Sequence, residues 1–243
     1  MTRRKLVIFG AGLQAEAHLF CMIPQTATDT SDTYDMGIGE VSVINRSLET
    51  AASFVDTFKT IYGCNGKVHF AKPIALADEC AVQLAVSTAD IIVTATGSST
   101  PLFNGRWMKP GCHVTCVGSY RTDHSEVDAS VLSRCTDIIV DSFGAVTTSG
   151  DLSSLVTCIS RHSDAIEKES EIRLTDEDTN SSFRVLTIGR LLSTSDAFER
   201  TPTSASRNCT LFKSVGTAIQ DIATASAVVE RATMIKAGST FAM

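Results

Sequence analysis

The chain has no apolar run approaching the ~20 residues needed to span a bilayer, so membrane insertion is not expected. It has no excess of basic residues. Lys and Arg number 21 against 27 Asp and Glu, and a net charge of −6 disfavours a nucleic-acid backbone as partner. It has no C-x-x-C pair, and its five histidines do not cluster with its eight cysteines, so no metal site is expected. Cys112 and Cys116 lie four apart on one strand, too distant for a disulfide, and the cysteines read as reduced, mostly buried thiols. No P-loop, Ser/His/Asp triad or internal repeat is visible. The basic start Met1–Lys5 is followed by too short an apolar stretch for a signal peptide, which implies a mature cytoplasmic start.

What is present begins at once. Leu6-Val-Ile-Phe9 is a continuous apolar run, as in a strand buried on both faces. Gly10-x-Gly12-x-x-Ala15 follows, and Ala15 to Met22 reads as helix. Strand, glycine turn and helix form the context of a dinucleotide-binding fingerprint. Gly10 permits the sharp turn, and Gly12 lets the backbone approach a pyrophosphate. Ala15 allows close packing, and the first-turn amides offer donors to phosphate.

A second strand, Val41–Ile44, ends in Asn45-Arg46-Ser47, and a helix with Ser47 as cap runs from Leu48 to Tyr62. An NAD site usually places an acid here for the ribose hydroxyl. This chain has an amide and a guanidinium, which suit a 2′-phosphate, so NADP(H) is expected in preference to NAD(H). The alternative is that Arg46 is simply a solvated arginine at a helix start.

Further strands are expected at Lys67–Phe70, Asp90–Ala95, His113–Val117, Asp137–Asp141 and Cys209–Val215. Helices are expected at Ala75–Ser87, Val127–Cys135, Asp151–Arg161 and Thr217–Ala237, the last with Ile219, Ile222 and Val229 available for burial. Pro24–Gly39 reads as a surface connection, and Ser163–Ser182 as charged and exposed. The fold class is α/β: a Rossmann-type, doubly wound, mostly parallel sheet in three αβα layers. Ligands in such sheets lie at the carboxyl ends of strands, which puts the Thr96–Thr100 loop beside the cofactor.

Several segments together resemble the ornithine cyclodeaminase and mu-crystallin family. They are Gly10–His18, Val43–Ser47, Ala89–Thr96, Pro101–Ser119, Glu126–Asp128, Asp141, Ser149–Asp151 and Leu211–Asp221. The resemblance implies an NAD(P)-binding Rossmann domain over residues 1–215. Residues 216–243 would be a C-terminal helix, the remnant of a dimerisation and substrate domain. It implies that Leu13 and Gln14, with Gly10 and Gly12, meet the pyrophosphate. Asn45, Arg46 and Ser47 would meet the adenosine phosphate, and Thr94, Ala95 and Thr96 would flank the dinucleotide. Val117, Ser119 and Ser214 would approach the nicotinamide end. Family members form homodimers and act on small imine or amino-acid substrates.

Two departures from the family pattern bear on activity. The chain starts at the family's first Rossmann strand, so the amino-terminal domain that carries basic residues for a substrate carboxylate is expected to be lacking. Tyr120, followed by Arg121, stands where cyclodeaminases place an Asp, so a proton-transfer agent at an amine is missing. A ketimine reductase-like oxidoreductase is therefore favoured over ornithine cyclisation. A non-catalytic NADP(H)-binding protein and an inactive, truncated member are the alternatives. No catalytic residue is assigned. Tyr120, Arg121 and Asp221 are candidates for substrate contact, against plain readings as a packed ring, a solvated cation and a helix-dipole partner.

Overall fold

The computed structural model describes residues 4–23, 36–62, 68–156, 171–176, 181–193 and 209–239. Its strands are β1 (Arg4–Phe9), β2 (Ile38–Asn45), β3 (His69–Phe70), β4 (Ile74–Ala75) and β5 (Ile91–Thr94), then β6 (His113–Cys116), β7 (Cys135–Val140), β8 (Glu171–Asp176), β9 (Ser181–Thr187) and β10 (Cys209–Lys213). They form one sheet in the order β3-β2-β1-β5-β6-β10-β7-β9-β8, with β4 also on β2. Every described pairing is parallel except β8 with β9.

The period of two along β1 and β5 builds the layers. Leu6 and Ile8 of β1, with Ile91 and Val93 of β5, face one apolar cluster. That cluster also takes Ala15 and Leu19 of α1 (Leu13–Met22) and Ala51, Val55 and Phe58 of α2 (Leu48–Tyr62). Val7, Phe9 and Ile92 face a second cluster. It holds Val82 and Val86 of α3 (Glu79–Thr88) and Val131 and Leu132 of α4 (Ala129–Arg134). Ala145 and Val146 of α5 (Gly144–Thr148) join it. Helices on both faces of a mostly parallel sheet make the doubly wound α/β arrangement. On the first face, register places His113 and Thr115 of β6 beside Ile91 and Val93. There the apolar pattern gives way to hydrogen bonds that join the two ring nitrogens of His113 to the hydroxyls of Thr210 (2.7 Å) and Thr115 (3.2 Å).

Several boundaries differ from the sequence reading. Ala75 opens no helix. It ends β4, and the helix waits for Asp78, whose carboxylate accepts from the Ala81 amide at 3.1 Å. β2 starts at Ile38, inside the expected surface connection, whose residues 24–35 lie outside the described residues. β7 begins at Cys135, which takes over the expected end of the preceding helix. The expected helix from Asp151 to Arg161 is a 3-10 turn, Gly150–Leu155, and residues 157–161 lie outside the described residues. The charged stretch read as exposed contributes β8, and Ile172 within it is buried. β10 stops at Lys213, two residues short of the expected end. After Gly216, a two-turn Ile188–Ser193 helix (α6) having come earlier, the last helix α7 spans Ala218–Met234. It buries none of its residues: Ile219, Ile222 and Val229, the side chains available for burial, stand exposed. The six described cysteines are unpaired; burial pushes Cys112 up to about 12.

Candidate functional site

The carboxyl ends of β1, β2, β5 and β6 lie side by side in register, and the glycine turn leaves the sheet at this end. Gly10 has a φ of +110°, and a Cβ there would run into the Ala95 carbonyl, so the turn requires glycine twice over. Gly12 differs. Its backbone is extended and a Cβ would meet nothing within 4 Å, which leaves open space over the start of α1. No side-chain hydrogen bond caps α1. By contrast α2, α3, α4 and α7 are capped by Ser47, Asp78, Asp128 and a Thr217–Gln220 capping box. The short α5 also lacks a side-chain cap. Bare first-turn amides beside open space are an anion-binding arrangement. Leu13 and Gln14 are exposed there, and His18 turns its Nδ1 to the Gln14 carbonyl at 2.7 Å, a structural bond.

At the end of β2, Asn45 is half-buried and donates to the Ser47 carbonyl at 3.1 Å, which shapes the loop. Ser47 accepts from the Thr50 amide at 3.2 Å, as its N-cap position implies. Arg46 is exposed, and no ion pair engages it among the described residues.

The ends of β5 and β6 are built around buried acids. Glu126 is fully buried. Its carboxylate accepts from Thr94 Oγ1 (2.9 Å), Thr96 N and Oγ1 (each 2.7 Å) and Gly118 N (2.8 Å). Asp151, also buried, accepts from the Glu126 and Val127 amides at 2.6 and 3.2 Å and pairs with Lys213 Nζ at 2.9 Å. Asp141, after β7, accepts from Ser214 Oγ and from the amides of Val215 and Gly216 through one oxygen. These acids hold backbone in place.

The side chains of Thr94 and Ser119 are consequently turned inward. Ser119 is fully buried and donates to the His124 carbonyl at 2.6 Å, with Ser149 Oγ 3.0 Å away. What Thr94 and Ser119 can present to the open side is backbone, whereas Ala95, Thr96, Val117 and Ser214 are half-buried. Tyr120 is exposed, with its ring edge-on to His124. Arg121 is exposed and already holds Asp123 through two bonds of 2.9 Å. Asp221 is exposed in the first turn of α7. No group of three or more His, Cys, Asp or Glu suited to a metal occurs among the described residues, and no described helix is long and apolar enough to cross a membrane.

The sequence reading placed none of Glu126, Asp151 and Lys213 in the site, and gave Asp151 only the cap of a following helix. A signal existed for Lys213. Period-two alternation puts it on the face of Cys209 and Leu211, and a lysine on a buried face requires a buried acid.

A mostly parallel, doubly wound sheet whose central strand ends in a glycine turn and an uncapped helix is a Rossmann-type α/β domain. The chain belongs to the ornithine cyclodeaminase/mu-crystallin family, whose model matches residues 2–236. It is 31% identical over 147 residues to the ketimine reductase mu-crystallin of Macropus fuliginosus, covering 60% of this chain and 39% of that protein. It is 30% identical over 197 residues to a Delta(1)-pyrroline-2-carboxylate reductase of Colwellia psychrerythraea, covering 80% and 52%. The chain thus spans about half the length of the curated relatives it matches. In structure it resembles the Thermococcus litoralis Delta(1)-pyrroline-2-carboxylate reductase solved with NADH and L-proline. The TM-score is 0.67 at 23% identity, over 98% of this chain and 61% of that one. An archaeal alanine dehydrogenase dimer with bound NAD gives 0.65 at 22% identity, over 100% and 61%.

Proposed function

We propose that this chain binds a nicotinamide dinucleotide, NADP(H) in preference to NAD(H), and serves as the cofactor domain of a ketimine reductase-like oxidoreductase acting on a small cyclic imine. The observation that carries the reading is the uncapped start of α1 with open space at Gly12. A pyrophosphate needs main-chain donors and close approach, and both are on offer. Gly12, Leu13 and Gln14 hold the pyrophosphate. Arg46 pairs with a 2′-phosphate beside Asn45 and Ser47. The backbone of Thr94–Thr96, with Val117, Ser119 and Ser214, lines the remainder. When bound, the cofactor supplies the hydride, and an imine accepts hydride best when protonated. Tyr120 is placed on an exposed loop where its hydroxyl can donate, and Arg121 can engage a substrate carboxylate only in competition with Asp123. The exposed apolar side chains of α7 support assigning residues 216–243 to a dimerisation and substrate domain, separate from residues 1–215.

A second reading, a binding protein without turnover, is favoured by the same loop, since Arg121 is already paired and Tyr120 replaces a carboxylate. Fluorescence titration of the full chain separates the steps. NADPH is expected to bind more tightly than NADH. Arg46→Ala should weaken NADPH about tenfold, the loss of one charge-assisted contact, and leave NADH unchanged. An unchanged NADPH-to-NADH ratio rejects the 2′-phosphate role. NADPH oxidation that depends on added Delta(1)-pyrroline-2-carboxylate marks an enzyme, and tight binding without oxidation marks the binder.

A further inference from the structure

We propose that Glu126 is a positioning residue: its carboxylate sets the spacing between the loops that leave β5 and β6, and thereby the β5–β6 side of the crevice. The proposal rests on the cofactor reading above.

Glu126 lies on the connection between β6 and α4 and is fully buried. A buried carboxylate is costly unless it is paired or fully hydrogen-bonded. No ion pair reaches it among the described residues, and the buried lysine close at hand, Lys213, is engaged by Asp151. What compensates Glu126 is four donors, about as many as a carboxylate has lone-pair sites. They come from two loops. Thr94 is the last residue of β5 and Thr96 lies two residues beyond it, while Gly118 lies two residues beyond the end of β6. The two loops touch through the same point, because a Cβ on Gly118 would collide with both the Thr96 carbonyl and the Glu126 carboxylate.

A neutral side chain cannot do this. Glutamine has one acceptor oxygen, and its amide nitrogen would point donors at the Gly118 or Thr96 amide. The anchor itself is rigid. The Glu126 amide donates to Asp151, its carbonyl accepts from the Leu102 amide at 2.9 Å, and Asp151 is tied through Lys213 to β10. The sheet therefore fixes Asp151, Asp151 fixes Glu126, and Glu126 fixes the loops of β5 and β6. Arg46 lies outside this chain of contacts, and the glycine turn meets it only where Gly10 packs against the Ala95 carbonyl.

The test uses the full-length chain and two ligands, NADPH and 2′,5′-ADP, which carries the 2′-phosphate half and no nicotinamide. In Glu126→Gln the Kd for NADPH should rise tenfold or more, while that for 2′,5′-ADP stays within twofold. Thr94→Val removes one donor and leaves the charge, so it should shift NADPH two- to fivefold with the same sparing of 2′,5′-ADP. If Glu126→Gln does not fold, Thr94→Val decides by that pattern. Equal weakening of both ligands, or no change in either, overturns the proposal, since a merely structural role spares neither ligand selectively. Wild-type protein that binds neither ligand overturns the cofactor reading as well, a result distinct from binding that ignores Glu126.

Discussion

At the amino end of the sheet, Asp90 takes the Lys5 amide at 2.8 Å and the Lys109 ammonium at 2.6 Å, and Lys109 also reaches the Thr88 carbonyl. The side chains of this pair are about one-third exposed. At the carboxyl end, Lys213 and Asp151 form an ion pair with no exposure at all, and Glu126 is buried with four donors and no cation. The same kinds of group close one end of the sheet through wet, replaceable contacts and brace the other through dry, obligatory ones. Crevice loops have to hold their shape with one side open, so they need bracing from beneath; a closed end does not.

The largest expected difference comes from cutting the dry pair. Lys213→Met leaves Asp151 charged, buried and unpaired, and should cost about 3–5 kcal/mol in urea unfolding. Lys109→Met at the other end should cost no more than about 1 kcal/mol. Similar losses at both ends would erase the contrast.

Within the carboxyl end, the two glycines sharpen it. Gly10→Ala meets both a positive φ and the Ala95 carbonyl and should cost about 1–3 kcal/mol or more. Gly12→Ala finds open space and should stay within about 0.5 kcal/mol. In NADPH affinity Gly12→Ala should nevertheless suffer, because its methyl enters the space a phosphate needs. A Gly12→Ala variant that binds normally would show that this space is not used.

The smallest effect concerns Asp90. Burial raises its pKa, but the Lys109 ammonium and the Lys5 amide outweigh that and hold it below the ordinary 3.8. A carboxyl lowered in the folded state contributes stability above its unfolded value and loses it as pH falls through the folded one. Asp90→Asn should therefore cost up to about 1 kcal/mol at pH 7, shrinking towards zero as pH falls below 3.8. A cost that persists in acid would point to the hydrogen bonds rather than the charge.

The crevice was legible in the sequence because it is local. Gly10, Gly12 and Ala15 sit next to one another, and the Asn45-Arg46-Ser47 end of β2 can be read from strand periodicity alone. The bracing was not, because each contact joins distant residues: Thr94 to Glu126, Glu126 to Asp151, Asp151 to Lys213. Polar character also misled. β8 lies in a stretch whose charges suggested exposure, yet Ile172 within it is buried where β8 pairs with β9. In α7 the helical periodicity marked side chains available for burial, and periodicity alone does not say whether a partner surface is at hand.

Amide chemical shifts of the full-length chain during NADPH titration address the main claim directly. If the dinucleotide rests on the bare start of the first helix, the amides of Gly12, Leu13, Gln14 and Ala15 should move furthest and saturate together with those beside Arg46. Saturation with those amides undisturbed, or no saturation at millimolar NADPH, would contradict it.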